Sequence, residues 1–235
     1  MLETKGLTAF YGDFQALFGV DISVAKGEVV AIIGANGAGK TTAMRAITGL
    51  LPSAGEMVRW HGQNIGEVRA DQIAGLGLAM VPEGRQLFPS LNVEENLIIG
   101  GRSGRKGPWS LARVYKLFPV LEERRLQAST SLSGGQQQMV AIGRALMSNP
   151  EVIMFDEISL GLAPIIIKQI YDALPGIISD GLGAIVVEQD ISKALAVADK
   201  VYCLSEGRIA LQGAANAVSR EEISDAYLGC KKWIG

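Results

Sequence analysis

Short apolar runs alternate with segments of helical spacing along most of the chain. Val29 to Ile33, Leu78 to Val81, Val152 to Phe155, Ala184 to Val187 and Val201 to Leu204 read as buried strands, and Ile209 to Leu211 closes the set. Met57 to Trp60, followed by His61-Gly62, reads as a strand and turn. Lys40 to Leu50 reads as a helix ending at Leu51-Pro52, and Glu221 to Leu228 as a short helix. Ile165 to Ile178 has helical spacing, but Pro175 should kink or end it. Strands alternating with helices predict an α/β fold around a mostly parallel sheet, with an antiparallel β edge. The stretch 84–150 differs. Val93 to Ile99, Ala112 to Leu117 and Gln136 to Met147 are helical in spacing and have little strand character. The expectation is one domain over 1–235: an α/β core of residues 1–83 and 151–235, with a helical lobe of residues 84–150 inserted into it. No low-complexity tract, long linker or internal repeat interrupts this pattern.

Composition adds exclusions. With 235 residues, 48% hydrophobic and 20% charged, the chain can bury a core. Its net charge of -2 gives no basic field, so no nucleic-acid partner is expected. Cys203 and Cys230 form neither a C-x-x-C pair nor a metal spacing, which fits a reducing compartment. The start, MLETKGLTAFYGDF, lacks a basic stretch followed by an apolar one and does not read as a signal peptide. The longest apolar runs, such as Ile73 to Pro82, reach about ten residues, short of the ~20 that span a bilayer. A membrane role therefore has to come through a partner.

The most specific motif is Gly34-Ala35-Asn36-Gly37-Ala38-Gly39-Lys40-Thr41, which matches G-x-x-x-x-G-K-[ST] between an apolar strand and a helix. Glycines let the backbone turn its N–H groups inward, and the helix N-terminus adds partial positive charge. Lys40 can neutralise β/γ-phosphate charge, and the Thr41 hydroxyl can ligate Mg²⁺, with Thr42 beside it. The pattern predicts a triphosphate site for ATP. A second pattern, Val152-Ile153-Met154-Phe155-Asp156-Glu157, is an apolar run ending in two acids. A buried strand delivers such carboxylates to the sheet edge where ligands bind. Asp156 is the candidate Mg²⁺ ligand and Glu157 the candidate general base for the attacking water.

Leu132-Ser133-Gly134-Gly135-Gln136 precedes a helical segment, with Ser133 a good N-cap and the following N–H groups an anion site. These five residues match the signature of ABC-type ATPases, and their place between the phosphate loop and Asp156 resembles that family. The resemblance covers nearly the whole chain. It implies that Tyr11 stacks on adenine and that Glu83, in Val81-Pro82-Glu83-Gly84-Arg85, falls where the family has a γ-phosphate-sensing glutamine near the metal. Ser159-Leu160-Gly161-Leu162 falls at the loop that crosses to a partner subunit. The resemblance also implies that Ser133, Gly134, Gly135 and Gln136 complete the ATP site of a second subunit in trans.

Val93-Glu94-Glu95-Asn96-Leu97, Ala141-Ile142-Gly143-Arg144-Ala145-Leu146, Gly161-Leu162-Ala163-Pro164-Ile165 and Ala226-Tyr227-Leu228-Gly229 resemble ATP-binding subunits of branched-chain amino-acid importers. The implied partners are a second ATPase subunit, transmembrane permease subunits and, indirectly, a periplasmic or extracellular binding protein. The implied location is peripheral, on the cytoplasmic face of the cell (inner) membrane, with Arg85, Phe88 and Leu91 as candidates for the permease contact. Alternatives are a urea or amide importer, an ATP-binding regulatory subunit, or an ABC ATPase acting on nucleic acid. The chain departs from the family in two places. Gln189 stands where a histidine usually contacts γ-phosphate, so a hydrogen-bond donor that cannot carry a proton takes that role. Ile158 replaces the proline that commonly follows the glutamate, which frees φ at that turn. The single histidine, His61, reads as an exposed strand-end residue.

Overall fold

The computed structural model describes residues 1–227. The chain opens with four strands, β1 (Leu2–Thr4), β2 (Leu7–Tyr11), β3 (Phe14–Val20) and β4 (Ser23–Val24), before β5 (Val29–Ile33) and α1 (Lys40–Ile47). Next come β6 (Val58–Trp60), β7 (Gln63–Asn64), α2 (Ala70–Leu76) and β8 (Leu78–Val81). Four helices follow without a strand: α3 (Val93–Gly100), α4 (Leu111–Leu117), α5 (Pro119–Glu123) and α6 (Gly134–Leu146). The chain then returns to β9 (Val152–Asp156), α7 (Pro164–Ile178), β10 (Gly183–Glu188), α8 (Ile191–Val197), β11 (Lys200–Ser205), β12 (Arg208–Ala214) and α9 (Arg220–Tyr227).

The central sheet has the order β12-β11-β5-β10-β9-β8, parallel throughout except for the antiparallel edge strand β12. Helices cover both faces, so β5, β9 and β10 are buried along their whole length and read as unbroken apolar runs. Their side chains still alternate. Val152, Met154, Ile185 and Val187 enter the core shared with α1 and the small strands. Ile153, Phe155, Ala184 and Val186 enter the core shared with α3–α7. A smaller cluster, Ala31, Ile33, Val201, Cys203 and Ile223, packs under α8 and α9.

Two further sheets lie outside this one: the antiparallel β4-β1-β6-β7 and the β2-β3 hairpin. Their N-terminal strands have no counterpart among the expected elements, because they are short and half-exposed and lack a marked apolar run. Other expectations need correction. The first helix stops at Ile47 rather than Leu50. The Thr48 hydroxyl turns back to the Met44 carbonyl at 2.8 Å, and Gly49 adopts φ 68°, which ends the helix. Met57 belongs to a single 3₁₀ turn ahead of β6. Pro175 does not end its helix, which runs on to Ile178. His61 sits in an exposed turn at φ 49° and pairs with Glu151 at 2.9 Å. Leu228, Gly229, Cys230 and the tail after them lie outside the described residues.

Candidate functional site

Strand β5 lies third from one edge of the central sheet, between β11 and β10. Its carboxyl end, with that of β9 two strands away, opens toward the place where open α/β sheets bind ligands. The loop 34–39 leaves β5 there. Gly39 is the N-cap of α1 at φ 104°, and a Cβ on it would stand 2.8 Å from Leu17 Cδ2. Only glycine fits both the left-handed backbone and the space. Gly34 is likewise closed in, with a Cβ meeting the Leu204 carbonyl and the Ala38 side chain.

A cavity of about 410 Å³ opens over this loop, lined by Asn36, Gly37, Gly39, Lys40, Thr41, Thr42, Glu83, Glu157, Leu160 and Gln189. Gly34 and Ala38 are buried behind it. Lys40 is 4% exposed, and its ammonium donates to the Gly34 and Ala35 carbonyls at 2.8 and 3.1 Å. The same nitrogen pairs with Glu157 Oε1 at 3.3 Å. On the other side of that carboxylate, Gln189 Nε2 donates to Glu157 Oε2 at 2.7 Å. Residues far apart in sequence thus form one chain of contacts, Lys40–Glu157–Gln189, along the cavity wall. Glu157 itself stands at φ 50°, a backbone conformation that costs energy for a non-glycine residue and recurs at functional sites.

Asp156 is 1% exposed at the end of β9. The Thr41 hydroxyl donates to its Oδ1 at 3.1 Å, whereas Oδ2 is buried without a hydrogen-bond partner among the described residues. Burial pushes this carboxyl up to about 6. The neighbouring Glu157 and Glu83 charges act in the same direction, against the Thr41 hydrogen bond and Lys40. An orphaned carboxylate oxygen beside a threonine hydroxyl suits a hard divalent cation, which takes oxygen ligands and keeps several waters. Among the described residues no group of three His, Cys, Asp or Glu forms a metal cluster. The protein oxygens here that fit such a cation are those of Asp156 and Thr41.

Tyr11 lies at the β2–β3 turn, 44% exposed, with its hydroxyl 3.5 Å from Thr42 Oγ1 at the cavity edge. Ser133, Gly134, Gly135 and Gln136 do not line the cavity. They open α6 in a capping box: the Gln136 backbone N–H donates to Ser133 Oγ, and Gln136 Oε1 accepts from the Ser133 N–H at 3.0 Å. Ser133 is exposed, while Gly135 is packed so closely on α7 that a Cβ would overlap Ile166.

The segment after β8 is pinned from the helices. Arg144 donates to the Arg85 and Gln86 carbonyls, and buried Asn96 holds Phe88 and Leu91. Arg85 turns toward α6, donating to Gln137 Oε1 at 3.3 Å, while Phe88 is 44% exposed and Leu91 half-buried. Sequence reasoning missed Leu160 as a lining residue, and it missed Asn96 and Glu188 as buried polar anchors. Asn96 stands in a motif already noticed and Glu188 directly precedes Gln189, but nothing in a linear pattern marks a polar residue as buried.

This geometry agrees with what the chain resembles. The family model described as ABC transporter matches residues 17–159, and the chain belongs to that family. It is 42% identical over 232 residues to the high-affinity branched-chain amino acid transport ATP-binding protein BraG of Pseudomonas aeruginosa, covering 97% of this chain and 100% of BraG. It is 33% identical to the probable branched-chain amino acid transport ATP-binding protein LivF of Archaeoglobus fulgidus, covering 94% and 95% of the two chains. Among solved structures it is similar to the dimeric post-hydrolysis state of an ATP-binding cassette bound to ADP and Pi. That match has TM-score 0.82 and 26% identity, over 93% of this chain and all of the other. The protein is thus an ATP-binding cassette that hydrolyses ATP in a transport system. These relatives do not favour a urea or amide importer, a regulatory subunit or a nucleic-acid ATPase. No helix among the described residues is long and apolar enough to cross a membrane.

Proposed function

We propose that this chain is the ATP-hydrolysing subunit of an importer for branched-chain amino acids. It works as one of a pair of cassettes on the cytoplasmic face of the membrane, beneath transmembrane permease subunits. The observation that carries the hydrolytic part is the convergence of Lys40, Glu157 and Gln189 on one cavity wall, with Asp156 and Thr41 joined beneath it. The amino-acid part is supported by the full-length similarity to BraG.

In this reading the loop 34–39 and the start of α1 receive the phosphates through backbone N–H groups. Lys40 exchanges its contact with Glu157 for a phosphate oxygen, since a triphosphate offers more negative charge than one carboxylate. Glu157, released on that side, accepts the proton of the water that attacks γ-phosphorus, while the bond from phosphorus to the β–γ bridging oxygen breaks and ADP leaves. Gln189 keeps the carboxylate oriented from the other side and can turn its amide to the phosphate. Thr41 and Asp156 would hold Mg²⁺ with Glu83 close by, and the ion would neutralise β- and γ-oxygen charge. Tyr11 provides the face for adenine. Ser133, Gly134, Gly135 and Gln136 serve the nucleotide of a second copy; the exposure of Ser133 supports that role. The 85–91 segment, with Phe88 exposed on it, meets the permease.

Turnover of the purified chain tests the chemistry. Glu157→Gln should keep ATP binding while phosphate release falls by about two to four orders of magnitude. Lys40→Ala should weaken ATP binding by about tenfold to a hundredfold, the worth of a charge-assisted contact. Undiminished release in Glu157→Gln refutes the assignment of the base. Leucine, isoleucine and valine uptake in cells lacking the gene tests the substrate, and unchanged uptake of all three refutes it.

A further inference from the structure

Two carboxylates among the described residues are buried, Asp156 and Glu188. Asp156 belongs to the site above. Glu188 is 2% exposed, ends β10 and directly precedes Gln189. The Ser159 hydroxyl donates to its Oε2 at 2.9 Å, and the Tyr171 hydroxyl donates to its Oε1 at 2.8 Å. Burial pushes its carboxyl up, opposed by the two hydroxyl donors and by Lys193. Lys193 itself pairs with Asp190 at 3.5 Å. A carboxylate buried against two neutral hydroxyls is a costly way to finish a strand, since an amide or an apolar residue would avoid its desolvation. What this carboxylate achieves is geometric. It ties together three elements: β10, the segment that follows β9, and α7.

The place of this knot relative to Glu157 gives it meaning. Glu157 sits in a left-handed conformation and needs support from its surroundings. Its N–H donates to the Val187 carbonyl at 3.0 Å, and its carboxylate accepts from Gln189. Two residues further on, Ser159 is held by Glu188. Three successive residues at the end of β10 therefore grip the segment 157–159 from the backbone, from the carboxylate and from the serine. Ile158, buried to 1%, plugs the middle. With no proline to fix φ at position 158, rigidity there comes from these contacts. Leu160, 52% exposed and lining the cavity, is carried on the same segment.

We propose that Glu188 is a positioning residue for ATP hydrolysis: by holding Ser159 and Tyr171 it fixes the 157–160 segment that aims Glu157 and presents Leu160 at the nucleotide cavity. This rests on the reading of Glu157 as the base. Among the described residues the Glu188 carboxylate hydrogen-bonds Ser159 and Tyr171 and no residue of the loop 34–41, so its loss acts on turnover and not on nucleotide affinity.

The test is steady-state phosphate release and fluorescent-ATP binding on the full chain, with Glu157→Gln run in parallel to check the base separately. Glu188→Ala should lower kcat by about tenfold to a hundredfold, the effect of a small misplacement of a reacting group, with ATP affinity within about twofold of the parent. Glu188→Gln should recover most of the rate, because the amide can accept from one hydroxyl and donate to the other oxygen. Ser159→Ala should also lower kcat, and the double Glu188→Ala/Ser159→Ala should be no slower than the worse single, since both break one contact. A folded Glu188→Ala with the parent's kcat overturns the proposal, as does a double variant in which the two losses multiply. If Glu188→Ala does not fold, Ser159→Ala and Tyr171→Phe decide, and normal kcat in both overturns it. Loss in Glu188→Ala with full activity in Glu157→Gln would refute the base assignment and leave Glu188 to be explained through Leu160 and Ser159.

Discussion

Asn96 is fully buried in α3, and its side chain holds the segment that bears Phe88. Its amide nitrogen donates to the carbonyls of Phe88, Leu91 and Asn92 at 3.1, 3.2 and 2.9 Å, and its Oδ1 accepts from the Phe88 N–H at 2.9 Å. The consequence of Asn96→Ala depends on who keeps a partner. The Phe88 carbonyl retains the Ser129 hydroxyl, the Leu91 carbonyl retains the Ser129 N–H, and the Asn92 carbonyl retains the helical N–H of residue 96. Among the described residues the Phe88 N–H retains none. One orphaned donor costs about 1–3 kcal/mol. The small cavity adds roughly 1 kcal/mol, so about 2–4 kcal/mol is expected from urea unfolding.

Asn96→Asp separates this reasoning from simple loss of volume. The carboxylate still accepts from Phe88 but faces three carbonyl oxygens, so it should be worse than alanine at about pH 7.5. Burial and those oxygens would raise its folded pKa above the unfolded value of about 3.9. The penalty should therefore vanish below about pH 4 and grow as pH rises toward the folded pKa, levelling off above it. If Asn96→Asp is as stable as the parent near neutral pH, or if its deficit is flat with pH, the role given to the amide is wrong. In either variant, phosphate release by the isolated cassette should change less than permease-coupled uptake, because the loosened segment is the permease contact proposed above.

The raised carboxyl of Asp156, at about 6 mainly through burial, makes a second pH prediction. Its folded value exceeds the unfolded ~3.9, so the unfolded chain loses its proton first and stability falls between about pH 4 and pH 6. With divalent ions chelated, Asp156→Asn should be about 1–3 kcal/mol more stable than the parent at about pH 7.5 and no more stable near pH 4, while losing turnover. A gain independent of pH would count against burial as the cause. Gly100→Ala and Gly75→Ala should have opposite signs. A Cβ on Gly100 would overlap the Arg144 carbonyl, and forcing α3 off α6 should cost about 1–3 kcal/mol or more. Gly75 lies in α2 with open space and an ordinary helical φ, so alanine there should gain up to about 1 kcal/mol, both read from thermal melting.

Local chemistry is legible in the linear chain. The role proposed for the loop 34–41 uses consecutive backbone N–H groups and one lysine, so it is written in adjacent residues. The paired acids 156–157 are legible for the same reason, since a buried strand must present its last residues at the sheet edge. The Ser133 cap with Gln136 is a three-residue spacing that the helix itself imposes. Pairings between distant segments are another matter. The N-terminal strands form sheets only because β1 finds β4 and β6, and their half-exposed side chains carry no run that announces a strand. Pro175 stays inside its helix, although local propensity alone would kink or end it there. Above all, a linear pattern gives Asp156 and Glu157 their candidate roles but not their surroundings. Only the folded chain gives one of them a lysine and a glutamine as partners and leaves the other buried with one oxygen unpartnered among the described residues, because burial and electrostatics depend on neighbours brought together in space.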